Sequence, residues 1–189
     1  ERADLAHVSQ PAASSFISRA VAEGFVRRFS SGFAIERHQE LLDDWVYAIK
    51  HGRREELPLQ FVYPDEPEEQ WLKKVRSFCR PPGSEPSHHS LVIGSHLACH
   101  LLGFGRSNVR LPWLYASGRP SDILSALDMA AADQGNGRLS LVVPKSPESV
   151  FGSFVWVDGV PVCDALQCYL DVRLSHARGM EQAEAIMDR

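Results

Sequence analysis

The feature that most constrains this chain is a helix pattern ended by a glycine and followed at once by a basic hairpin. Ala13, Phe16, Ile17, Ala20 and Val21 recur at three- and four-residue spacing, the period of a helix with one apolar face. Ser9 is a good N-cap for that helix, and Pro11 is tolerated in its first turn because the missing N–H would be unpaired there. The pattern runs from about residue 10 to residue 23, and Gly24 stops it as a C′ glycine. Phe25-Val26-Arg27-Arg28 then reads as a strand, Ser30-Ser31-Gly32 as a turn, and Phe33-Ala34-Ile35 as the returning strand. Residues 2 to 7 read as a short preceding helix, with Ala3, Leu5 and Ala6 available to pack.

A helix of this size fits the major groove of duplex DNA, where its N-terminal half meets base edges. Its outward polar residues are Gln10, Ser14, Ser15, Ser18 and Arg19. Glutamine can bond adenine and arginine can bond guanine through two hydrogen bonds each, and serine suits phosphate or base contacts. Arg27, Arg28 and the turn at Ser31 are then expected to follow the backbone or enter the minor groove. The charge distribution permits this without requiring it. Residues 1–37 hold five arginines against four acids, a net +1, and the formal charge of the whole chain is -4, so the remainder carries -5.

The chain has 189 residues, enough for one medium domain or two small ones. With 44% hydrophobic residues it can bury a sizeable core, and no apolar run approaches the roughly 18–20 residues of a membrane span. No secretory leader is visible at the start, and Cys79, Cys99, Cys163 and Cys168 are widely spaced with no CxxC pair. The expectation is a cytoplasmic protein with free, mostly buried thiols and no membrane partner.

Beyond the hairpin, residues 39–51 form an amphipathic helix, and the charged stretch 52–58 reads as a connector. Strands and helices then mix. Strands are expected at 60–63, 91–93, 109–115 (broken by Pro112), 139–143, 154–157 and 160–162, the last two joined at Asp158-Gly159. Helices are expected at 67–78, 95–102, 121–132, 164–175 and 180–187, with Asp164 as an N-cap. The fold class is therefore α+β: a winged helix-turn-helix over 1–52 and a mixed α/β domain over 59–189.

The stretch from Val8 through Gly24 to Arg28 resembles the recognition helix and first wing strand of bacterial winged helix-turn-helix regulators. Such families place another helix ahead of the motif, which here is short or absent. Three later stretches, Gly94-Ser95-His96-Leu97-Ala98-Cys99-His100-Leu101-Leu102-Gly103, Asp158 to Gln167-Cys168-Tyr169-Leu170-Asp171, and Arg178-Gly179-Met180-Glu181-Gln182-Ala183-Glu184, are similar to the C-terminal domain of the AbiEi-like type IV antitoxins. That resemblance implies a DNA-binding head that represses its own operon, and a body that counters a cognate toxin protein. The partners it implies are double-stranded DNA and that toxin. A homodimer is left open, since such regulators are often dimers but no heptad is visible.

Two alternatives stand beside this reading. The head could be a protein-docking module that never touches DNA. The body could also be a nucleotidyltransferase, because Gly94-Ser95 after a strand is a phosphate-binding helix start. That chemistry needs paired carboxylates on the next strand to hold metal ions, and Asn108-Val109-Arg110-Leu111-Pro112-Trp113-Leu114-Tyr115 has none. The body is therefore expected to be a non-catalytic nucleotidyltransferase-like remnant, with no catalytic residue, no cofactor and no metal. His96 and His100 share a helix face, and His88 or His89 could complete a zinc site, but surface or capping histidines are the simpler reading. Gln167, Tyr169 and Asp171 are expected to tie their helix to neighbouring loops rather than bind a ligand, and Trp71, Trp113 and Trp156 to anchor the core.

Overall fold

The computed structural model describes residues 9–52, 55–63, 65–79, 90–117, 119–133, 139–145 and 147–188. The expected helix at 2–7 and the residues His88 and His89 lie outside them. The chain divides into two units, Glu1–Gly52 and Arg53–Arg189.

In the first unit, helix α1 (Gln10–Ala22) starts at Ser9, whose Oγ accepts the Ala12 amide at 3.3 Å. It ends in a Schellman arrangement: Phe25 N–H donates to the Ala20 carbonyl and Gly24 N–H to the Val21 carbonyl. Gly24 sits at φ +76°, where a side chain would be strained. Strands β1 (Val26–Phe29) and β2 (Gly32–Ile35) pair antiparallel, with Arg28 opposite Phe33 and Arg27 opposite Ala34. Helix α2 (His38–His51) follows. Burial in this unit is thin: among its described residues Ala20 and Val46 are the buried apolar ones. Phe16 and Val21, expected to pack, are 56% and 36% exposed.

The second unit is a seven-stranded mixed sheet with helices. Its elements are β3 (Glu55–Phe61), α3 (Glu68–Phe78), β4 (Ser90–Gly94), α4 (Ser95–Leu101), β5 (Pro112–Ser117), α5 (Pro120–Ala126), β6 (Met129–Ala131), β7 (Leu139–Val143), α6 (Pro147–Phe151), β8 (Val155–Val157), β9 (Val160–Val162), α7 (Ala165–Leu174) and α8 (Gly179–Met187). The strand order is β6-β3-β7-β5-β4-β9-β8. The β7/β5 and β4/β9 pairs are parallel and the other four antiparallel. Leu91, Val92 and Ile93 are all buried, so both faces of β4 are covered. The α+β class stands on this architecture.

Several boundaries differ from the sequence reading. The stretch read as a connector is largely strand β3, which pairs with β7 from Glu55 onward and with β6 from Leu59. Its glutamates lie at the exposed end, and Leu59 is fully buried. Pro58 cannot donate, but its carbonyl accepts from Ala132 at 2.9 Å. The helix expected over 121–132 stops at Ala126. Asp128 takes a left-handed conformation at φ +51°, and Met129–Ala131 joins the sheet edge. The Lys74 ammonium bridges Asp128 at 2.7 Å and Glu66 at 2.6 Å, tying α3 to that turn. β5 begins at Pro112 rather than being broken by it, and α6 was not foreseen. Asp158 (φ +48°) and Gly159 (φ +76°) make the expected tight turn between β8 and β9. Trp71 is a core anchor, edge-on to Phe61 at 5.7 Å, whereas Trp113 and Trp156 are half-buried. The four cysteines are free and buried.

The histidines on α4 are not at the surface. His96 is fully buried, and His100 is half-buried with Nε2 at 3.1 Å from the Val109 carbonyl. Burial pushes the His96 imidazole below its ordinary value of 6.5; the Ala177 carbonyl opposes that shift and the charge of His100 adds to it. The unfolded chain therefore binds a proton near pH 6.5 that the folded chain refuses. This penalty is absent above that pH and grows as pH falls through it. Urea melts at descending pH should show wild type losing stability from about pH 6.5 downward, with His96→Gln losing less over the same interval. Equal pH slopes for the two proteins would contradict this assignment.

Candidate nucleic-acid interface

All eight residues expected at a DNA contact are exposed. On α1 they form two neighbouring rows at four-residue spacing: Gln10, Ser14 and Ser18 in one, Ser15 and Arg19 in the other. These rows lie on the side away from buried Ala20, with exposed Pro11 and Ala22 at their ends. Arg27, Arg28 and Ser31 stand on the hairpin. The arginines differ in their surroundings. Arg19 faces Glu23 one turn on at 3.7 Å, a pair of little strength at such exposure. Arg27 pairs with Glu36, and its guanidinium lies 5.6 Å from the Phe29 ring centre. Arg28 lies over the Phe33 ring at 5.8 Å.

Sequence reasoning passed over Arg37, the residue that joins these parts. Its Nε donates to the Gly24 carbonyl at 3.1 Å, its Nη2 donates to the Glu23 carbonyl, and its Nη1 pairs with Glu40 at 2.7 Å. The guanidinium also covers the Phe25 ring at 4.8 Å. One side chain therefore satisfies carbonyls left open at the end of α1 and holds them against the start of α2. The signal available in sequence was a cation leading straight into a helix, just after a strand returning toward a C′ glycine. Arg37→Met should raise the hydrogen-exchange rate of the Phe25 and Glu36 amides about tenfold, the equivalent of one charge-assisted hydrogen bond. An unchanged rate would remove Arg37 from this role.

The body carries a second constellation, at the start of α4. Ser95 is left-handed (φ +62°) and 1% exposed. Its amide donates to Asp171 Oδ2 at 3.0 Å. Asp171 Oδ1 accepts from the Tyr115 hydroxyl at 2.5 Å and from Gln167 Nε2 at 2.8 Å. A Cβ on Gly94 would come within 2.4 Å of Asp171 Oδ2 and 2.8 Å of the Tyr115 ring, so this position requires glycine. The chain's own carboxylate thus takes up the first amide of α4. Ser95 Oγ lies 3.3 Å from His96 Nδ1, which puts a hydroxyl beside an imidazole, but both residues are sealed in the core. Gln167, Tyr169 and Asp171 are expected to tie their helix to neighbouring loops; Asp171 and Gln167 instead reach Tyr115 on β5, Asp171 also reaches the start of α4, and the Tyr169 hydroxyl accepts from Arg173 in its own helix. Asp164 caps α7 through the Gln167 amide at 2.8 Å.

Gln182 and Lys74 are taken up in structural contacts. Gln182, fully buried, holds the loop after α4: its Oε1 accepts from the Arg106 and Ser107 amides and its Nε2 donates to the Phe104 carbonyl. An open groove of about 640 Å³ is lined by Tyr63, Asp65, Glu66, Gln70, Lys74 and Asp128, and its lysine is engaged by two of its acids. Among the described residues no group of three or more His, Cys, Asp or Glu is arranged to hold a metal ion, and no helix is long and apolar enough to cross a membrane. Replacing Asp171 by Ala removes the acceptor of two buried donors, the Ser95 amide and the Tyr115 hydroxyl, while the half-buried Gln167 side chain keeps the Tyr115 oxygen at 3.1 Å; it should cost about 3 kcal/mol in a urea melt, with Asn recovering about half. A loss under about 0.5 kcal/mol would show that the network is not a brace.

No family model, no curated protein and no solved structure matches this chain.

Proposed function

We propose that the chain is a double-stranded-DNA-binding regulator of the antitoxin type, with a winged helix-turn-helix head and a non-catalytic, nucleotidyltransferase-like body that meets a cognate toxin protein. The observation that carries the reading is the paired polar rows on α1 beside an arginine-bearing hairpin. A helix inserted in a major groove needs an unobstructed polar side, and the hairpin beside it gives a second contact along the duplex. The buried carboxylate at the α4 start supports a non-catalytic body, because it fills the anion position that a nucleotide would need. Four free thiols fit a reducing cytoplasm.

A second reading rests on a different observation. Phe16, Ile35, Trp45 and Tyr47 are each about half exposed or more, which suits a head that docks on another protein. The two readings separate in one titration. For the DNA reading, anisotropy against the chain's own upstream region should weaken as salt rises, the logarithm of affinity falling by about 0.9 per neutralised phosphate. Gln10→Ala/Ser14→Ala/Ser18→Ala should erode the preference for that region over an unrelated duplex while leaving the salt slope intact. Absence of salt-dependent binding, together with a stable complex with the neighbouring gene product, would favour docking.

A further inference from the structure

Resting on the DNA reading, we infer that the hairpin meets the duplex with one face only, that of Arg28, Phe33 and Ile35, and that this face suits an A·T-rich minor groove. Adjacent strand residues point to opposite sides of a hairpin. Arg27 and Arg28 therefore belong to opposite faces. The pairing register assigns the rest: Arg28 is opposite Phe33 and Val26 opposite Ile35, so these four share one face. Arg27 is opposite Ala34 and Phe29 opposite Gly32 on the other face.

The two faces differ in charge. Glu36 stands two residues beyond Ala34, which brings it to the Arg27 side, and its amide is pinned to the Phe25 carbonyl at 2.9 Å. There it pairs with Arg27, so that face is internally neutralised. The Glu36 carboxylate would also repel an approaching phosphate. No acid pairs with Arg28 among the described residues; its guanidinium rests over Phe33 instead. Beside it, Phe33 is 40% and Ile35 60% exposed. An unneutralised guanidinium flanked by exposed apolar side chains matches a narrow minor groove, with its concentrated negative potential and apolar sugar walls. Phe29, 47% exposed beside Arg27, gives the other face apolar surface too, so the two faces are told apart by charge.

The test measures anisotropy of two short fluorescein-labelled duplexes, one with a central A-tract and one G·C-rich, across a salt series. Wild type should prefer the A-tract duplex. Arg28→Ala should weaken that binding about tenfold, reduce the salt slope by about 0.9 and abolish the preference. Arg28→Lys should keep the slope. Ala34→Gln, a substitution on the other face, should stay within about twofold of wild type. Thermal melts of each variant check that the head remains folded. The proposal is overturned if Ala34→Gln loses as much as Arg28→Ala, or if Arg28→Ala binds like wild type. If wild type binds neither duplex, the DNA reading itself fails and this face assignment goes with it.

Discussion

The buried Asp171 carboxylate is the constraint on which the body depends. It accepts the amide of a left-handed Ser95, the Tyr115 hydroxyl on β5 and the Gln167 side chain one turn back on α7. Those partners lie far apart in sequence, so the contact fixes α7 against the central strands and sets how α4 leaves β4. The close approach leaves no room for a Cβ at Gly94. It also decides what the helix start can do: an amide bonded to an internal carboxylate is not free for a ligand phosphate.

The head is held differently. With only Ala20 and Val46 buried among its described apolar residues, its order rests on directed polar contacts. Ser9 and Gly24 cap α1, and Arg37 joins the end of that helix to the start of α2. Thin burial and exposed aromatic side chains are costly for a unit that acts alone, and they suit one that completes its surroundings on binding. Polar contacts of this kind leave the outer rows of α1 and the Arg28 face of the hairpin free to meet a partner.

Much of this architecture was legible where local chemistry decides. Ser9, Gly24, Asp158-Gly159 and Asp164 marked caps and turns that the backbone adopts. The polar side of α1 followed from helical spacing alone. What was hidden depends on distant partners. β3 reads as a linker because Glu55, Glu56 and Pro58 are poor strand residues, yet pairing with β7, more than eighty residues later, makes it a strand. Met129–Ala131 has helix-favouring composition, and the edge of β3 draws it into the sheet. The interface showed the same division. Exposure of its eight residues was foreseeable, but the neutralisation of Arg27 by Glu36 needed the hairpin register, and the position of Arg37 before a helix did not reveal which carbonyls it reaches.

The central claim is that the outer side of α1 and the hairpin are where this protein meets DNA. Amide hydrogen exchange of the full chain, measured with and without a saturating duplex from its upstream region, tests it most directly. The account predicts slowed exchange in α1 and in the β1–β2 hairpin, with the amides of the sheet and of α7 unchanged. Protection confined to the second unit, or none anywhere under conditions where the duplex binds, would contradict it.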